Sequence, residues 1–90
     1  MVDFLRSSDP NKTSIEFLLT DLKTALTFMD VAQTSGDQEV KHRNHKNARL
    51  AYDTVTRFLP KVKPTAAEQQ AIDERLTLLK ARLEAVGELF

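Results

Sequence analysis

Apolar side chains recur along this chain at three- and four-residue steps, in three blocks separated by short polar punctuation. That period belongs to helices with one face turned toward a core. The first block is a broad stripe of Ile15, Leu18, Leu19, Leu22, Ala25, Leu26, Met29 and Ala32. The second is Ala48, Ala51, Tyr52, Val55, Phe58 and Leu59, with Arg49, Asp53 and Arg57 on the opposite face. The third, Ile72, Leu76, Leu79, Leu83, Val86 and Phe90, is a narrow stripe with alternating four- and three-residue steps, close to a coiled-coil seam. No stretch alternates with the period of a strand, and no repeat is long enough to form an array.

The punctuation predicts where the helices begin and end. Thr13 and Glu16 form a capping-box pattern before the first stripe, and Thr65 and Glu68 form another before the third. Gly36 follows the first stripe as a candidate left-handed C-cap. Asp37 comes next as an N-cap for the second helix, with Glu39 complementing the same dipole end. Pro60 lacks an amide hydrogen and disfavours helical backbone at Leu59, so the second helix stops there. Gly87 permits a cap or fraying at the end of the third. These signals predict helices over 14–35, 38–59 and 66–87.

Three amphipathic helices with short connections make antiparallel neighbours. The expected fold is all-α: an up-down-up three-helix bundle over 13–90, preceded by a short N-terminal arm over 1–12. Ninety residues suffice for one such domain and one core. The second helix is uneven. Its first half, Val40 to Asn47, is almost wholly polar. Asn44 nevertheless points within roughly 20° of Val55, at the centre of the apolar face. The first half of this helix therefore either protrudes past the core or lines a polar niche.

Thirteen basic and thirteen acidic residues give a formal net charge of zero, so no global field steers the chain toward nucleic acid or an anionic membrane. The chain has no cysteine, which excludes disulfides, thiolate metal sites and a cysteine nucleophile, and suits the cytoplasm. Met1 to Arg6 carries an early acid and no long apolar run, so no signal peptide is expected. No segment approaches ~20 apolar residues, so no membrane span is expected.

Catalytic patterns are weak. Ser7, Ser8, Ser14 and Ser35 occupy arm, cap or turn contexts, where serine serves backbone hydrogen bonding. Asp73 and Glu74 are adjacent and diverge by about 100° on a helix. His42 and His45 are close enough to share a metal, with Glu39 as the nearest third ligand, but two histidines on a polar helix end are ordinarily solvated. No cofactor, metal site, small-molecule substrate or enzymatic activity is expected.

Two surfaces are candidates for binding. Lys41, His42, Arg43, Lys46 and Arg49 form the only concentration of charge and could hold an anion or an acidic helix. Asp53 interrupts this face and no aromatic is interleaved for base stacking, which disfavours nucleic acid. On the first helix, Phe17, Phe28 and Val31 lie off the core stripe, more than about 90° from Leu22. A contiguous apolar pair with a valine is a candidate partner face, unless Phe4 and Leu5 fold back over it.

Ala48, Tyr52, Val55 and Pro60 stand at the spacing found in the second helix of a tetratricopeptide repeat, and Ser35-Gly36-Asp37 resembles that family's turn between its two helices. The turn lies about two helical turns farther from Ala48 than in that family, and no second repeat follows. The three-helix architecture is also similar to docking domains of the microtubule-interacting and trafficking type. Both resemblances imply protein binding without catalysis. Helix-hairpin packing accounts for the same residues, since small side chains let helices approach and proline terminates one. The expected function is a non-catalytic interaction module binding a protein partner or a second copy of itself, with anion or nucleic-acid binding through the basic face as the alternative.

Overall fold

Asp9 and Pro10 start the first helix. The computed structural model describes residues 9–90, and its first helix, α1, runs Pro10–Thr34. The Asp9 carboxylate accepts from the Asn11 amide at 3.0 Å, and Pro10 takes the first helical position. The start expected at Thr13 is therefore one turn too late. Two caps compete here, and Asp-Pro wins because proline at this position loses no bond and has its φ already set. Thr13 lies within the helix, its amide donating to the Asp9 carbonyl at 3.0 Å. Residues 10–12 thus belong to α1 rather than to an arm. The remainder of the expected arm, with Phe4 and Leu5, falls up to residue 8 outside the described residues.

Helix α1 ends at Ser35, whose amide donates to the Val31 carbonyl at 3.1 Å. Ser35 is extended, with φ −82° and ψ 139°, and Gly36 does not adopt positive φ. The left-handed cap expected at Gly36 is absent. The turn closes instead through the Ser35 hydroxyl, which accepts from the Asp37 amide at 3.1 Å. Asp37 caps α2 as expected, accepting from the amides of Glu39 at 2.8 Å and Val40 at 3.3 Å. Helix α2 spans Gln38–Phe58 and tightens into a 3-10 turn, Leu59–Lys61, that contains Pro60.

Helix α3 spans Ala66–Ala85 behind a complete capping box. The Glu68 amide donates to the Thr65 hydroxyl at 3.2 Å, and the Thr65 amide donates to the Glu68 carboxylate at 2.8 Å. At its far end Gly87, at φ 97°, donates to the Glu84 carbonyl, and Glu88 donates to the Leu83 carbonyl, each at 3.0 Å. These paired bonds form a left-handed helix stop that only glycine adopts without steric cost. The stop sends the chain back across α2.

The three helices form an all-α, up-down-up bundle, and no strand occurs among the described residues. Ile15, Leu18, Leu22, Ala25 and Met29 of α1 meet Ala48 and Val55 of α2 and Ile72, Leu79 and Leu83 of α3 in one core. Ala25, Ala32 and Ala48 are completely buried, and side chains this small allow close backbone approach. Three stripe residues leave the core at the helix ends: Phe58, Val86 and Phe90 are exposed.

Polar ties fix how the elements sit. The Asn11 side chain accepts from the Lys63 amide at 2.7 Å and donates to the Lys63 carbonyl at 3.1 Å, pinning the α2–α3 connection to the first turn of α1. Arg82 reaches from α3 to Asp30 of α1 at 2.8 Å. Asn44 is buried, and its side chain donates to the Val40 carbonyl of its own helix at 2.8 Å. The polar half of α2 therefore lies against the bundle rather than protruding from it.

Leu22 and Leu79 are wholly buried in this core. Leu22→Ala and Leu79→Ala are each expected to cost ~2–5 kcal/mol, through lost burial and a residual cavity. Denaturant titration followed by circular dichroism measures this. Near-neutral effects at both positions would contradict the core assignment.

Candidate functional site

The helix ends that escape the core define two clefts, one at each end of the α1–α2 hairpin. At the open end, Phe17 and Leu18 of α1 face Phe58 of α2 and Val62 of the connection across a groove of about 400 Å³. Thr13, Ser14, Thr54 and Lys61 complete its walls. Phe17 is 63% exposed and Phe58 42%. The Lys61 ammonium stands 4.9 Å from the centre of the Phe58 ring, a cation–π arrangement that leaves the charge at the rim.

The apolar face expected from Phe17, Phe28 and Val31 is divided. Phe17 lines the groove, Phe28 is half-buried against the core, and Val31 is exposed about 20 Å farther along the helix axis. Phe17 therefore gains Phe58, not Phe28, as its aromatic neighbour. The pairing has a signal in the sequence. A hairpin turning at Gly36 sets Phe17 opposite Val55, each nineteen residues from the turn, and Phe58 lies one turn beyond.

The five basic residues singled out on α2 are also separated. His42, Arg43 and Lys46 are exposed. Lys41 is half-buried and, with His45, faces the cleft at the turn end of the hairpin. Arg49 faces the opposite way. Its Nε donates to Asp53 at 3.1 Å, and its Nη1 donates to Glu88 at 3.2 Å and to the Leu89 carbonyl at 2.6 Å. The hydrogen bond that Arg49 donates to Asp53 is the main cause that raises its guanidinium above the ordinary value; burial works against it. Among the described residues, no three histidine, aspartate or glutamate side chains converge as a metal site.

Arg49 is thus the receptor for the segment that follows α3. The Phe90 ring lies beneath its guanidinium, 4.0 Å from carbon to ring centre, and meets Tyr52 edge-on at 4.9 Å. Lys80 approaches the same ring at 5.4 Å. Helical periodicity assigns Phe90 to the seam of α3, but the stop at Gly87 diverts it onto α2.

In the same bundle, Ala48 and Val55 of the tetratricopeptide-like spacing are wholly buried, Tyr52 is half-buried against Phe90, and Pro60 lies in the 3-10 turn. Compared with protein-family models, curated proteins and solved structures, the chain has no match.

Two predictions test the electrostatics and the closing segment. Partial burial raises the Asp21 carboxyl above its ordinary value of 3.8. The folded chain then holds this proton more tightly than the unfolded chain, so stability falls as pH climbs from 3.8 through the raised folded value. Asp21→Asn should melt higher than wild type at about pH 7 and lack this decline. A lower melting temperature at that pH would mean that the charge has a stabilising partner. Arg49→Gln or Phe90→Ala should free the segment from its seat. Amide exchange over 86–90 is expected to accelerate markedly, while the protected core of α1 changes little. Unchanged exchange in both variants would mean that neither contact holds the segment.

Proposed function

We propose that the chain is a small, non-catalytic, cytoplasmic interaction module that docks a protein partner, or a second copy of itself, through the Phe17–Phe58 groove. The carrying observation is the pairing of two exposed phenylalanines from different helices across one apolar groove. Aromatic anchors in a concave apolar site are the usual centre of a protein–protein contact, because each removes a large apolar area from water at little cost in side-chain freedom. The groove has room for one or two apolar side chains of a partner rather than for a whole helix. The tetratricopeptide-like spacing in α2 agrees with this reading, since that family binds proteins through helical hairpins.

Sedimentation equilibrium over a concentration series tests the self-docking form. Wild-type mass is expected to rise with concentration. Phe17→Asp with Phe58→Asp should remain monomeric at unchanged helix content, because both rings are already partly in water. A wild type that stays monomeric, with a double variant that unfolds, would return both rings to the intramolecular core and remove the support for docking.

A further inference from the structure

The turn end of the bundle holds a second cleft, of about 350 Å³, that the docking groove does not use. All three helices build it. Helix α1 gives Met29, Ala32 and Gln33, α2 gives Lys41 and His45, and α3 gives Arg82. Ala85 and Val86 close the apolar side. We propose that this cleft binds a small organic anion, with a carboxylate or phosphate head carried on a short apolar body.

Four features lead to that ligand. The first is convergence. Lys41 and His45 are one turn apart on the same side of α2, and Arg82 joins them from another helix. The second is orientation. The Arg82 Nη2 donates to Asp30 at 2.8 Å and to the Gln33 side-chain oxygen at 3.3 Å, which fixes the guanidinium plane. Those contacts use one of its three nitrogens, and Nε and Nη1 have no hydrogen-bond acceptor among the described residues. The third is charge. Asp30 compensates Arg82 from a well-exposed position, whereas half-buried Lys41 has no acidic partner among the described residues. A bound anion would supply the partner that the Lys41 ammonium lacks.

The fourth is the floor. Met29 and Ala32 are buried beneath the basic rim, and Ala32 and Ala85 are too short to fill the space above them. Inorganic phosphate alone would leave this apolar surface wet. The volume lies at the lower end of the range for small-ligand sites, roughly 300–1,000 Å³. No phenylalanine, tyrosine or tryptophan lines the cleft to stack a base, so its chemistry differs from that of a single-strand nucleic-acid groove. The groups that face a bound head are the Lys41 ammonium, the Arg82 guanidinium and the His45 ring, and Asp30 holds the arginine. The head therefore sits toward α2 and the body toward Ala85.

Amide chemical-shift titration of the full chain with phenyl phosphate, benzoate, inorganic phosphate and benzyl alcohol tests the site. Phenyl phosphate or benzoate should give saturable shifts at residues 32, 41, 45, 82 and 86, with a Kd on the order of 1 mM. Whichever aromatic anion binds more tightly identifies the head. Inorganic phosphate should bind at least about tenfold more weakly, and benzyl alcohol should give no saturable shift there. Lys41→Gln and, separately, Ala85→Leu should each weaken the better aromatic anion about tenfold, while Phe17→Asp should leave it unchanged. Lys41 and Ala85 both reach the surface, so two independent folded variants probe the head and body sides. The proposal is overturned by the absence of saturable shifts for both aromatic anions, by equal binding of benzyl alcohol, by inorganic phosphate matching the aromatic anions, or by undiminished affinity in Lys41→Gln and Ala85→Leu together.

Discussion

Helix α1 serves two neighbours at once, and the bundle depends on that. Its contact with α2 is the most extensive, its contact with α3 comes next, and α2 and α3 touch each other least. A stripe of ordinary width could bury only one seam. Here Ile15, Leu18, Leu22, Ala25 and Met29 are flanked by half-buried Leu19, Leu26 and Phe28, so the apolar arc is broad enough to back two helices. The limited α2–α3 seam has its own remedy. The glycine stop after α3 returns Glu88 and Phe90 to Arg49 and Tyr52, closing with charge and aromatic contact what the helices leave open.

The two clefts follow from the same geometry. Both are lined in part by α1, but their side chains differ. At the open end of the hairpin the residues are large, and Phe17 and Phe58 stand up as walls. At the turn end they are small, and Ala32 and Ala85 leave a hollow ringed by nitrogen donors. One end offers apolar surface, and the other offers charge above an apolar floor. A single short domain thus presents two chemically distinct surfaces, separated by its core.

The core was legible in the sequence because it depends on periodicity. The stripes on α1 and α3, the Asp37 cap and the Thr65–Glu68 box need only neighbours within two turns, and the structure contains them. Asn44 was legible for the same reason, since its angular position already set it on the apolar face. The start of α1 was harder, because Asp9-Pro10 and Thr13-Glu16 both satisfy local rules and only one can be first. Gly36 illustrates the reverse problem: a residue free to adopt positive φ was not required to do so once the Ser35 hydroxyl closed the turn. The candidate sites depend on register between helices. Phe58 follows the apolar period yet is left exposed at the groove that Thr13, Ser14 and Phe17 of α1 line. Arg82 meets the α2 basic residues across some forty positions, and no local pattern in the sequence records that proximity.

The clasp between Asn11 and Lys63 carries a kinetic consequence. Its two hydrogen bonds join residues fifty-two positions apart. Ordering so long a loop is entropically costly until other contacts have shortened the effective path. The α1–α2 hairpin, with its three-residue turn, supplies that path. The clasp therefore closes after the hairpin. In the opposite direction, loss of these two bonds frees the connection first, because Ile72, Leu79 and Leu83 still hold α3 in the core and Arg82 still bridges to Asp30, and exchange rates over 62–65 would record an opening easier than that of α1.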